Sequence, residues 1–128
     1  MRQPGQAETS AEFRVDEERP EEGVFVLAVA GEVDLHVAPA LRERLHRAVD
    51  VAGRAVILDL SDVTFVDSMA LSVIVGAGKR ARARQSQVRL VVSRPEIRRV
   101  FEITLLDRVV PLDASRDGSF AAVATQAG

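Results

Sequence analysis

Few residues in this chain can do chemistry. There is no Cys, which removes disulfides, thiolate metal sites and cysteine nucleophiles. The two histidines, His36 and His46, cannot make a multi-histidine metal centre by themselves. Hydroxyls and carboxylates remain, and the segment Thr64-Phe65-Val66-Asp67-Ser68-Met69-Ala70-Leu71 concentrates them. Its spacing puts Ser68 where a strand and connector give way to a helix. Free N–H groups at a helix start can hold a phosphate, and the helix dipole favours its charge. A phosphate on Ser68 would leave the fold intact while adding about −1.5 to −2 charge to an exposed rim. Asp67 and Asp34 would make that rim strongly acidic, so a partner docked there would meet repulsion. The plainer reading is that Asp67 or Ser68 merely caps the helix, and the residues alone leave both open.

Enzyme readings are weaker. No GxxxxGK[ST] loop or GxGxxG turn follows a strand, and Gly76-Ala77-Gly78 falls inside a predicted helix. Ser68, His36 and Asp34 can be written as a triad, but Ser68 lacks the small flanking residues of a nucleophile elbow. His36 reads as a loop or cap residue, and His46 as a solvated residue on the polar side of a helix. Asp34, Asp59, Asp62 and Asp67 fall near strand ends, which in a parallel sheet share one rim. A divalent-cation site is conceivable there, but capping and turn formation explain the same residues. No enzyme activity, metal site or cofactor is expected.

The elements that position Ser68 follow from hydrophobic patterning. Residues 1–11 are polar without periodicity and read as a flexible arm, with one domain over 12–125. Glu12–Asp16 alternates as an edge strand, and the charged run Glu17–Glu22 with Pro20 reads as a turn. The continuous apolar run Gly23–Ala30 predicts a strand buried on both sides. Val37–Ala52 predicts a helix with Leu41, Leu45, Ala48 and Val49 inward, Pro39 in its first turn and Gly53 after it. Ala55–Leu60 predicts a second buried strand, and Ser61–Asp67 a connector with Val63, Phe65 and Val66 inward. Ser68–Arg84 predicts a helix with two apolar faces. Leu71, Ile74, Val75 and Gly78 form one; Met69, Val73, Gly76 and Ala77 form the other, open to a partner or buried. Val88–Val92 is a strand, Ser93 caps a short helix carrying Ile97, Val100 and Phe101, Val109–Leu112 is a last strand, and Asp117–Thr125 a final helix. Strands alternating with helices imply an α/β fold: a mostly parallel sheet of about five strands, an antiparallel edge strand and about four helices.

Composition narrows the partners. The chain has 128 residues, 47% of them apolar, enough for one domain with a real core. A net charge of −2 gives no reason to expect nucleic acid or an anionic membrane. Five Phe with no Trp or Tyr make a base-stacking platform improbable. No leader-like or bilayer-length apolar run is present, so a cytoplasmic location is expected.

Three segments resemble the STAS domains, specifically bacterial anti-sigma factor antagonists. Gly31-Glu32-Val33-Asp34-Leu35 is similar to that family's G-E-[LV]-D segment. Val56 to Ser68 is similar to its strand and loop leading into D-S-[ST]-G-L, and Arg94 to Leu106 to its third helix. The resemblance spans Phe13 to Phe120. It implies that Ser68 is phosphorylated by the anti-sigma factor, an ATP-dependent serine kinase. Unphosphorylated antagonist would bind that factor and release the sigma factor; phosphorylated antagonist would not bind. A metal-dependent serine phosphatase would reset Ser68. The expected partner surface comprises Asp34, His36, Asp67, Ser68, Met69, Ala70 and Val73. Met69 and Ala70 stand where the pattern has Ser or Thr and Gly. The alternative is a STAS scaffold or ligand-binding subunit of a transport or signalling complex, with no phosphoswitch.

Overall fold

The computed structural model describes residues 12–126; the arm expected over 1–11 lies outside them. The elements are β1 (Arg14–Glu21), β2 (Val24–Val33), α1 (Ala38–Ala52), β3 (Ala55–Val66), α2 (Ser68–Ala83), β4 (Gln87–Val91), α3 (Pro95–Ile103), β5 (Leu112–Asp113) and α4 (Arg116–Gln126). A 3-10 turn, Leu106–Arg108, joins α3 to β5. The strands lie in chain order in one sheet. β1 is antiparallel to β2, and every later pair is parallel.

That order decides the layers. Right-handed crossovers stepping repeatedly in one direction put their helices on one face of the sheet. α1, α2 and α3 accordingly share one core with Phe25, Leu27, Val56, Leu58 and Leu90, into which Leu41, Leu45, Ile74 and Phe101 pack. α4 covers part of the opposite face, where Val123 and Phe120 meet Val24, Val26, Ile57 and Val91. β2 is therefore apolar at consecutive positions because alternate side chains enter different layers. Gly53, at φ +90°, lets the chain leave α1 in a conformation that L side chains resist.

Four boundaries differ from the sequence expectation. The charged run Glu17–Glu22 is mostly strand, with Glu21 still paired to Val24. An edge strand tolerates charges and Pro20 because one of its sides faces water. The connector expected over Ser61–Asp67 is strand up to Val66. β3 there takes two extra residues against β2, with register shifts between Ala28 and Ala30 and between Gly31 and Glu32. These bulges change the inward positions from every second residue to Leu60, Val63 and Val66, and turn Phe65 outward. The last strand is only Leu112–Asp113, because Val109 and Val110 close the 3-10 turn by donating to the Leu106 carbonyl. Ser93 does not cap α3, whose N-cap is Arg94 followed by Pro95. Among the described residues, no helix is long and apolar enough to cross a membrane.

Candidate partner-binding site

Ser68 is held at the rim where β2 and β3 end. Val33 is paired with Val66, so Asp34 and Asp67 leave the sheet side by side. The Asp67 N–H donates to the Val33 carbonyl at 3.2 Å, which ties the start of α2 to the end of β2. The Asp67 carboxylate then caps α2, its Oδ1 accepting from the Ala70 N–H at 2.9 Å. Ser68 is the first helical residue and is exposed. The N–H groups of the first helical turn have no partner one turn earlier. The cap takes that of Ala70, leaving those of Ser68 and Met69 without a partner among the described residues. Hydroxyl, open donors and helix dipole therefore coincide at one exposed point.

Asp34 is committed locally. Its Oδ1 accepts from the His36 N–H at 2.9 Å, and its carbonyl accepts from Val37 and Ala38, which starts α1. His36 is exposed, and its ring bonds to neither Ser68 nor Asp34, so the triad is not assembled. The four rim carboxylates do not converge either. Asp59 turns to the α4 face, where Ser61 and Arg116 hold it. Among the described residues, no three metal-ligating side chains gather.

A STAS domain model matches residues 17–118. The chain belongs to the STAS domain family. It is 38% identical over 84 residues to an anti-sigma-B factor antagonist of Listeria monocytogenes, covering 66% of this chain and 74% of that protein. It is 32% identical over 90 residues to the anti-sigma-B factor antagonist of Bacillus subtilis, covering 70% and 82%. An anti-sigma factor antagonist from Mycobacterium paratuberculosis superimposes with a TM-score of 0.79 at 29% identity, covering 88% of this chain and 94% of that one.

On this STAS domain the other expected contact residues divide. Met69 is 51% exposed, whereas Ala70 is 0% exposed and cannot contribute surface. Of the two apolar faces expected of α2, the first packs inward through Leu71, Ile74 and Gly78, with Val75 partly buried, whereas the second splits: Val73 and Ala77 join the core with Ala70, and Met69 and Gly76 stay exposed. The exposed residues of α2 are Ser68, Met69, Ser72, Gly76 and Lys79, followed by Arg82 and Ala83 in its last turn. Val73 is nearly buried and reaches the surface only as the floor of a groove.

Sequence reasoning missed part of the rim. Leu35 is 58% and Phe65 49% exposed, and together with Met69 they set large apolar side chains at the end of the sheet that carries Ser68. The outward Phe65 was hidden by the bulge; the outward Leu35 follows from the Asp34 turn. A groove of about 460 Å³ runs beside Ser68, between α2 and the end of α3, lined by Leu71, Val75, Thr104 and Leu106. A second, of about 420 Å³, lies between α1 and α2 and contains His46, which is half-buried rather than solvated.

Proposed function

We propose that this STAS domain is an anti-sigma factor antagonist whose binding is switched at Ser68. The observation that carries the reading is Ser68 itself: an exposed hydroxyl on the first residue of α2, bordered by an apolar groove and exposed apolar side chains. Unphosphorylated, this rim offers a desolvatable surface to an anti-sigma factor, and occupying that factor frees its sigma factor. The anti-sigma factor is also the kinase. The Ser68 Oγ attacks the γ-phosphorus of ATP, the bond to the bridging oxygen breaks, ADP departs, and the kinase takes the hydroxyl proton. The product carries about −1.5 to −2 extra charge. Open donors at Ser68 and Met69 accommodate it, while the groove mouth becomes costly to desolvate. A metal-dependent serine phosphatase hydrolyses the phosphoester and restores binding. ATP and metal belong to those partners; this chain is the non-catalytic, cytoplasmic substrate.

The test starts by screening the chain against the anti-sigma kinases encoded in its own genome. Incubation with the one that binds, plus ATP, is expected to add one phosphate at Ser68, read by phosphopeptide mass spectrometry. Ser68→Ala is expected to bind without regulation, and Ser68→Asp at least about 100-fold more weakly. Binding by Ser68→Asp within about threefold of wild type would sink the reading.

A further inference from the structure

Gly76 lies in the middle of α2, where glycine destabilises a helix relative to alanine. Two glycines of this helix contrast. A Cβ on Gly78 would approach Val110 Cγ2 to 3.2 Å, so close packing accounts for it. A Cβ on Gly76 would meet no described residue within 4 Å, so nothing among the described residues accounts for that one. Gly76 is exposed one turn after Ser72, itself one turn after Ser68, and it lines both grooves beside α2. The ridge between the grooves is therefore low where Gly76 stands.

The groove on the α1 side has a definite electrostatic character. Arg42, His46 and Arg80 line it together with Ser72, and among the described residues no carboxylate does. Arg80 is fixed by a two-point bond to Asp50, at 2.9 and 2.8 Å. Arg84 shares the same carboxylate, so two guanidiniums face one negative charge. Arg42 has no carboxylate partner among the described residues. Burial, then Arg80, then Arg42 hold the His46 imidazole below its ordinary value, while Asp50 opposes them. The groove thus carries a net positive field over the apolar floor of Val73.

We infer that the α1–α2 groove receives a carboxylate from the anti-sigma partner, on a segment that crosses α2 at Gly76. This rests on the partner-binding reading above and specifies the partner's chemistry. A carboxylate there would meet Arg42 and the Ser72 hydroxyl, and the bare Gly76 lets the partner backbone approach. The groove beside Ser68 takes the apolar part of the same segment and feels the phosphate directly. The α1–α2 groove adds attraction that depends on salt.

The kinase that binds the wild-type chain is titrated against Arg42→Glu, Gly76→Leu, Arg47→Glu and Ser68→Asp at low and high salt. Arg42→Glu and Gly76→Leu are each expected to weaken binding at least about tenfold, with Arg42→Glu also flattening the salt dependence. Arg47→Glu makes the same charge change outside the groove and is expected to stay within about threefold. Gly76→Leu is expected to melt about 3 °C higher than wild type, so its lost affinity is not misfolding. In the complex, the NMR titration of His46 is expected to move to higher pH than in the free chain. Arg42→Glu and Gly76→Leu both binding within about twofold would overturn the inference, as would a His46 titration that does not rise. Loss of binding by Ser68→Asp with both groove variants unaffected removes only the groove. Wild-type binding by Ser68→Asp removes only the phosphoswitch. A chain that binds none of the kinases removes both.

Discussion

At Asp67 one carboxylate decides where α2 begins, and so which way Ser68 faces. Its Oδ1 accepts the Ala70 N–H, and its own N–H is anchored on β2. Asp67→Ala removes the cap and is expected to lower stability by about 1 kcal/mol, with Asp67→Asn close to wild type. Urea denaturation measures both. Because the frayed turn contains Ser68, the Ala variant is also expected to be phosphorylated more slowly, while Asn is not. An equal loss for Asn and Ala would show that charge, not capping, is what Asp67 supplies. Ala70 shows where the same logic limits sequence reading. Its type departs from the family pattern beside Ser68, which suggests a changed contact surface. Its methyl in fact points into the core, so the departure concerns packing beneath α2.

Among the helices, α4 is the least anchored by apolar contact: Val123 is buried and Phe120 partly so. Polar contacts supply the rest. Arg116 bridges Asp59 at 2.7 Å and Glu18 at 3.0 Å, joining α4 to β3 and β1. Ser119 donates to Asp113 at 2.6 Å, and Arg89 holds the same carboxylate at 2.8 and 3.0 Å. Removing one member strands a largely buried charge, which is worse than replacing the pair. Arg116→Met is therefore expected to destabilise by about 2 kcal/mol, and Asp59→Leu with Arg116→Met by clearly less. Hydrogen exchange is expected to quicken in α4 before α1 or α2; uniform quickening would mean that α4 is not a separate unit. This helix was legible in the sequence, as were α1, α2 and the buried runs of β2 and β3, because apolar spacing within each segment suffices. The far half of β3 was not. Two bulges space Leu60, Val63 and Val66 three apart, a period that belongs to no regular strand. The charges of β1 imitate a turn for a similar reason, since an edge strand need not alternate cleanly. The placement of Ser68 at the start of α2 was legible from the residues around it. The grooves were not, because each is the gap between segments distant in sequence, and no local pattern encodes its width.

The whole molecule is uneven in charge despite its net −2. Asp16, Glu17, Glu18, Glu21 and Glu22 crowd the β1 edge and its turn, whereas Arg42, Arg44, Arg47, Lys79, Arg80, Arg82 and Arg84 lie on α1, α2 and the C-cap of α2. Its stability should respond to acid in two steps. Burial alone would raise the Asp59 carboxyl, but the bonds from Ser61 and Arg116 outweigh it and hold the group below its ordinary value. Burial is likewise outweighed at Asp113, by Arg89 and Ser119. For both, the unfolded chain takes up the proton first as pH falls. Their stabilisation is complete above the unfolded value near ~4 and drains as pH passes down through the folded one. His46 acts higher on the scale with the same sign. Its folded value is lowered, so the unfolded chain protonates first and a small part of the stability is lost once pH falls below ~6.5. That loss is shallow because the imidazole is partly solvated. Melting temperature against pH is therefore expected to decline gently below neutrality and steeply in the acid range. His46→Gln should remove the gentle part alone. Asp59→Asn should lower the neutral plateau and shrink the steep part, since that variant has less to lose. A steep fall of unchanged size in Asp59→Asn would assign the acid step to other carboxylates and detach it from the anchoring of α4.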